Sequence, residues 1–269
     1  MKRFIHLTDL HFSSRDKTQN EIHFETRKTI LNVIKEINNL RPEPDFILIS
    51  GDLTNTGNIK SYKELYQILK NIKTPIYYAL GNHDKKLSFN KVFKNINSEE
   101  PLFYNHIIED LNLIVLDTSV LGKVSGKISD EQFEFLSNCL SKYKKMQSLI
   151  MMHHPPKFSM SSPNWISLDE KSTTKLKSKL ANQNILAIVC GHIHINQTNF
   201  WNGIPVIISN GLYSTIDFLT KDEMRIIEGK SFNVCNIRDN GIGVTVVPVK
   251  PTAKVFKSIN LKKFKNLKI

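Results

Sequence analysis

No apolar run in this chain reaches the roughly 18 residues that a membrane-spanning helix needs. Its first residues, MKRFIHLTDLH, pass from a basic pair into a short strand holding His and Asp, with no signal-peptide core or small-residue cleavage site. A cytoplasmic protein is the expectation. Cysteine is scarce: Cys139, Cys190 and Cys235 are scattered, form no CxxC, and leave one thiol unpaired under any disulfide scheme. They read as packing residues in a reducing compartment. There is no internal repeat, low-complexity linker or break in composition to mark a second domain. With 269 residues and 40% hydrophobic content, the chain can bury one large core. A single domain over residues 1–250, followed by a tail over 251–269, is the simplest division.

Acidic residues are also in short supply, 25 against 37 basic ones, which leaves a formal charge of +12. A basic surface concentrates polyanions, so nucleic acid is one partner to consider. The excess is uneven, however. Lys250, Lys254, Lys257, Lys262, Lys263, Lys265 and Lys268 crowd the C-terminal tail, which has no acid. A solvated or partner-packed tail is the simpler reading, with nucleic-acid binding as the alternative.

Short apolar runs at residues 3–8, 45–50, 75–80, 148–152 and 185–190 read as buried strands. Segments of helical period lie between them: Ile22, Thr26, Ile30, Val33, Ile34 and Ile37 share one face, as do Tyr62, Leu65, Tyr66 and Leu69, and later Phe133, Leu136 and Leu140. The alternation predicts an α/β domain. Three antiparallel hairpins are also expected: Phe103 to Ile108 with Leu113 to Asp117 across residues 109–112, Gln197 to Trp201 with Pro205 to Ser209 across Asn202 and Gly203, and one around Asp239, Asn240 and Gly241.

The polar residues cluster where these strands end. After each run comes a group able to hold metal: Asp9 and His11, then Gly51 and Asp52, then Gly81, Asn82, His83 and Asp84, then His153 and His154, then Gly191, His192 and His194. Ligands of open α/β sheets gather beyond the carboxyl ends of strands, so the groups are expected to converge on one crevice. Carboxylate, amide and imidazole without thiolate suit Mn, Fe, Zn or Co better than a soft or purely oxygen-bound ion. The set exceeds what one ion takes, so two divalent ions sharing a bridging carboxylate are expected. With two carboxylates and a hydroxide they leave a charge of about +1, which attracts a phosphate ester. The glycines permit sharp turns or close backbone approach at the site.

Taken in order, Asp9-x-His11, Gly51-Asp52, Gly81-Asn82-His83-Asp84, His153 and Gly191-His192-x-His194 resemble the full signature of the calcineurin-like metallophosphoesterases. The combination GNHD, HHPP and GHIH is most similar to the class III cyclic-nucleotide phosphodiesterase branch, which includes glycerophosphodiester-cleaving relatives. The resemblance implies a four-layer αββα sandwich of two mixed sheets flanked by helices. It implies one ion on Asp9, His11 and His194, the other on Asn82, His153 and His192, and Asp52 bridging both. It further implies that His83 faces the substrate and protonates the leaving alkoxide or stabilises its developing charge, with Asp84 orienting its ring. The expected activity is hydrolysis of a small phosphodiester by a metal-bridging hydroxide. A phosphomonoesterase or nuclease of the same superfamily is the alternative, and a non-catalytic metal-binding scaffold stands further off. Homodimers are frequent in the branch.

Other residues carry plainer readings. His6, His23 and His106 lie outside the motifs and read as surface or core residues. Adjacent strand residues point to opposite faces, so one of His153 and His154 is expected at the ions. The resemblance implies His153, leaving His154 to pack beneath the site or touch substrate. Asp117 reads as a cap or turn residue, with a supporting role at the site as the alternative. Loops at residues 55–59, 85–94, 157–169 and 211–218 are expected to ring the crevice. Lys157, Trp165 and Tyr213 would there offer charge and stacking to substrate, or simply pack the loops.

Overall fold

The computed structural model describes residues 1–14, 24–217, 219 and 223–249. In chain order the elements are β1 (Lys2–Leu7), α1 (Phe24–Asn39), β2 (Phe46–Ser50), α2 (Ile59–Leu69), β3 (Ile76–Ala79), α3 (Lys86–Phe89) running into a π-turn (Asn90–Lys94), β4 (Tyr104–Ile108) and β5 (Leu111–Val115). Then come α4 (Asp130–Lys142), β6 (Gln147–Met151), a 3₁₀ turn (Asn164–Ile166), α5 (Glu170–Leu180), β7 (Ile185–Cys190), β8 (Gln197–Trp201) and β9 (Ile204–Ile208). The short pair β10 (Thr215–Asp217) and β11 (Arg225–Ile227) precedes the hairpin β12 (Ser231–Arg238) and β13 (Gly241–Pro248). No helix among the described residues is long and apolar enough to cross a membrane.

The strands form a five-stranded sheet in the order β13-β12-β1-β2-β3 and a six-stranded sheet in the order β4-β5-β6-β7-β9-β8. Alternation along β1 and β2 sends Phe4, Phe46 and Leu48 inward, where they meet Leu113, Leu149, Met151 and Val189 of the second sheet. The opposite residues, Ile5, Leu7, Ile47 and Ile49, pack on α1 and α2. Ile114, Ile150 and Ile188 likewise pack on α4 and α5. The architecture is therefore the expected αββα sandwich of two mixed sheets, with strands buried on both faces.

Several local features differ from the sequence expectation. Leu111 pairs with Ile108 and Asn112 with Ile107, so the first hairpin turns at Glu109 and Asp110 alone. Glu109 takes a positive φ of 55° there, which lets a buried Leu111 begin the strand. Residues 85–94 are largely helical, and Phe89 stacks on Phe93 at 4.7 Å. Helix α5 escapes a periodicity argument because most of its residues are Lys, Ser and Thr; its start is marked by Asp169, whose side chain accepts from the Ser172 N–H. Ile22, His23 and the basic tail lie outside the described residues.

Candidate metal centre

Strands β1, β2 and β3 run parallel, as do β5, β6, β7 and β9. Their carboxyl ends therefore open on the same edge of the sandwich, and every motif residue follows one of them. The backbone there is unusual. Asp9, His11, Asp52, His192 and His194 all have positive φ, between 40° and 75°. Such a conformation costs a non-glycine residue about 1–3 kcal/mol. Interlaced loop hydrogen bonds maintain it: Asp9 N–H donates to the Gly51 carbonyl (3.1 Å), His11 N–H to Asp52 (3.0 Å) and Gly191 N–H to His153 (3.0 Å). Gly191 is required for packing, since a Cβ there would run into Thr8 Oγ1 and Asp9 Oδ2.

The side chains converge. Ligand atoms of Asp9, His11 and His194 lie within 4.8 Å of one another, as do those of Asp9, Asp52 and His153, and of His11, Asp52 and His83. His153 and His192 group with His154 in the same way. Asp52 stands between the groups, with Oδ2 at 3.6 Å from His11 Nε2 and 3.3 Å from His153 Nε2.

Each of the four imidazoles expected at the ions has one nitrogen engaged by an acceptor outside the cluster. His11 Nδ1 faces Asn55 Oδ1 (3.2 Å), His153 Nδ1 donates to the Ser50 carbonyl (2.8 Å), and His194 Nδ1 to that of Ser214 (3.2 Å). His192 does the reverse, donating from Nε2 to the Trp165 carbonyl at 2.6 Å. The acceptors fix the tautomers and leave Nε2 of three rings and Nδ1 of His192 as lone-pair donors, the arrangement of metal-ligating histidines. Asp9 Oδ1, Asn82 Oδ1 and His153 Nε2 are buried without a hydrogen-bond partner. Burying three such atoms together is costly unless a cation answers them.

Electrostatics points the same way. Burial alone would raise the carboxyls of Asp9 and Asp52, yet His194 and His153 beside the first, and His153 and His11 beside the second, hold both below the usual range. Burial would lower the imidazole of His153, but Asp52 and Asp9 overcome it and lift the group to about 9. Burial would lower His194 too, and the charge and hydrogen bond of Asp9 overcome it and leave that imidazole raised as well. A crevice that strengthens imidazole bases through two carboxylates attracts cations.

His83 and Asp84 require a correction. The His83 ring is oriented by the Asn55 carbonyl, which accepts from Nδ1 at 2.8 Å, and not by Asp84. Asp84 points away, accepting from the N–H groups of Leu53 (3.1 Å), Thr54 (3.2 Å) and Gly81 (3.0 Å) and from the Tyr62 hydroxyl (2.6 Å). It ties the Asp52 loop to the Asn82 loop. Burial and the charge of Asp52 push its carboxyl up to about 6 against the pull of those donors.

For His154 the substrate reading is corrected and the packing one stands. Strand β6 ends at Met151, so strand alternation does not extend to residues 153 and 154, and both rings lie close to His192, at 5.1 Å and 4.4 Å between centroids. His154 is fully buried with Nδ1 on Thr118 Oγ1 (2.7 Å) and Nε2 on the Val124 carbonyl (3.0 Å), which leaves nothing for substrate. Lys157 is also buried, within its own loop. Tyr213 stands at the crevice, 5.2 Å from the His11 ring. Asp117 is a turn residue, accepting from Leu102 N–H (2.9 Å) and Ser119 N–H (3.0 Å). One feature escaped sequence reasoning, the Trp165 carbonyl, for which there is no residue-type signal; His6 takes the core reading of its two, with Nε2 2.8 Å from Ser50 Oγ.

A model of the calcineurin-like phosphoesterase family matches residues 2–196. A probable glycerophosphodiester phosphodiesterase of Arcobacter nitrofigilis is 31% identical over 213 residues, 76% of each chain. A probable cyclic nucleotide phosphodiesterase of Rhodococcus erythropolis is 27% identical over 252 residues, 91% of this chain and 83% of that protein. A cAMP/cGMP dual specificity phosphodiesterase of Mycobacterium tuberculosis is 26% identical over 269 residues, 96% of this chain and 79% of its own. Among solved structures, a dimetal phosphatase from Danio rerio superposes with a TM-score of 0.62 at 12% identity, covering 93% of this chain and 99% of that one, a likeness of fold.

Proposed function

Because the chain belongs to the calcineurin-like phosphoesterase family, and so is a hydrolase of phosphoric esters, we propose that it is a dinuclear metal-dependent phosphodiesterase acting on a small phosphodiester. Relatives named for cyclic nucleotides and for glycerophosphodiesters both support the diester reading. The observation that carries the dinuclear part is the overlap of several ligand groups at Asp9 and Asp52, where Asp9 Oδ1, Asn82 Oδ1 and His153 Nε2 are buried without a hydrogen bond. In this reading Asp9, His11 and His194 hold one ion, Asn82, His153 and His192 hold the other, and Asp52 bridges them.

Two divalent ions bound there supply activated water and neutralise the charge of the diester. The protein contributes position and a proton. Asp52 Oδ1 accepts the His83 N–H at 2.8 Å, which fixes the His83 backbone at the edge of the cluster. The exposed ring, with Nδ1 on the Asn55 carbonyl, keeps Nε2 for the leaving alkoxide. Proton transfer of this kind contributes about 10²–10⁴-fold in rate. His83→Asn should lower kcat by that order while metal content stays unchanged.

The test is a Mn²⁺-loaded assay comparing bis-p-nitrophenyl phosphate, p-nitrophenyl phosphate, cyclic nucleotides, glycerophosphodiesters and single-stranded DNA by kcat/KM, beside elemental analysis. Small diesters should dominate, with two ions per chain. Dominance of the monoester would overturn the diesterase reading, and fewer than two ions per chain the dinuclear one.

A further inference from the structure

Lys157 is 5% exposed and makes no ion pair among the described residues. Its Nζ donates to the Ser162 carbonyl (2.8 Å) and to Asn164 Oδ1 (2.7 Å), both neutral acceptors. Lysine is almost never fully buried unless paired, because the ammonium loses its hydration. The two bonds cross the loop of residues 158–166 and close it around the ammonium.

Both ends of that closure are anchored. Lys157 N–H donates to Thr173 Oγ1 on α5 (3.1 Å), and Leu168 N–H returns to the Pro155 carbonyl (2.9 Å). Asn164 opens the 3₁₀ turn, and the next residue, Trp165, presents the carbonyl that takes His192 Nε2 at 2.6 Å. The Trp165 side chain is 45% exposed, so core packing of its ring alone does not set the position of its carbonyl.

We propose that Lys157 is a positioning residue for one of the two ions: its buried ammonium braces the loop so that the Trp165 carbonyl holds His192 with Nδ1 as the ligand nitrogen. The inference rests on the dinuclear reading, because it acts through His192. Loss of a partner that orients a metal-ligating histidine costs about 10–100-fold in metal affinity. Lys157→Met keeps the length and apolar stem while removing the charge and all three donors.

The experiment titrates chelator-treated full-length protein with Mn²⁺ by calorimetry, for wild type, Lys157→Met, Asn164→Leu, His192→Ala and the double variant Lys157→Met with His192→Ala, with urea unfolding of each. Wild type should bind two ions. Lys157→Met should weaken one about 10–100-fold and leave the other unchanged, Asn164→Leu should weaken the same ion to a smaller extent, and Lys157→Met should add nothing in the His192→Ala background. Equal weakening of both ions, additivity in the double variant, or a lowered urea midpoint with unchanged affinities would each overturn the positioning role. Should Lys157→Met fail to fold, Asn164→Leu decides by the same criteria. A wild type that binds fewer than two ions would overturn the dinuclear reading instead.

Discussion

His153 Nε2 lies 3.3 Å from Asp52 Oδ2, although the two residues follow strands of different sheets. The pair spans the seam of the sandwich, and His11 Nε2 lies 3.6 Å from the same oxygen. A carboxylate in that place serves both halves of the cluster. Asp52→Asn keeps the shape and an oxygen for the His83 N–H but removes the charge. Both ions should weaken together in a calorimetric titration, and diester turnover should vanish. A variant with full metal content and near-normal rate would refute the bridging role.

Asp84 binds two loops together, and its removal is expected to act on stability before chemistry. In Asp84→Ala the N–H groups of Leu53, Thr54 and Gly81 and the Tyr62 hydroxyl lose their acceptor. A buried donor left unsatisfied costs about 1–3 kcal/mol. Some of these groups will find water, so a net loss of about 3 kcal/mol in urea unfolding is expected, with Tyr62→Phe costing about 1 kcal/mol. An unchanged urea midpoint combined with lost turnover would return Asp84 to the role of orienting His83.

The sandwich was legible because its central strands carry near-continuous apolar runs and α1, α2 and α4 a clear apolar stripe, which α5 and the short α3 lack. The convergence of Asp9, Asp52, His153 and His192 was legible for a topological reason, since residues after parallel strands share one edge. What escaped was set by backbone geometry. Strand alternation did not govern His153 and His154, because both lie beyond the end of β6. The orientation of His83 by Asn55, and of His192 by Trp165, uses main-chain carbonyls, which every residue type possesses. Lys157 read either as a charge for substrate or as loop packing, and its burial decides for the second.

His6 connects the core to pH. It shares the inward face of β1 with Phe4, and burial holds its imidazole down at about 4 despite the nearby charge of Asp9. The unfolded chain binds a proton near pH 6.5, whereas the folded one resists until about 4. Stability from this group is therefore complete above about 6.5 and is lost as pH falls toward about 4, by at most about 3 kcal/mol. In chelator-treated protein, the difference in unfolding free energy between wild type and His6→Gln should shift against the wild type across that window. A constant difference would show that His6 does not titrate with folding.

The left-handed backbone at the cluster gives a prediction that runs against the usual cost of glycine. His11 has φ of 40°, a conformation that a Cβ makes expensive and glycine adopts freely. His11→Ala and His11→Gly remove the same ligand and the same bond to Asn55, so they differ in backbone preference and in one methyl group. Alanine retains the strain, worth about 1–2 kcal/mol at a left-handed residue. Glycine relieves it, offset in part by the larger entropy of the unfolded chain, about 0.4–1 kcal/mol. His11→Gly should therefore be the more stable of the two by about 0.5–1 kcal/mol in chelator-treated protein, a reversal of the order found in ordinary helices and strands. Urea unfolding of the two variants decides it. If alanine is the more stable, the His11 backbone is not strained, and the hydrogen bond from its N–H to Asp52 does not hold it in a costly conformation.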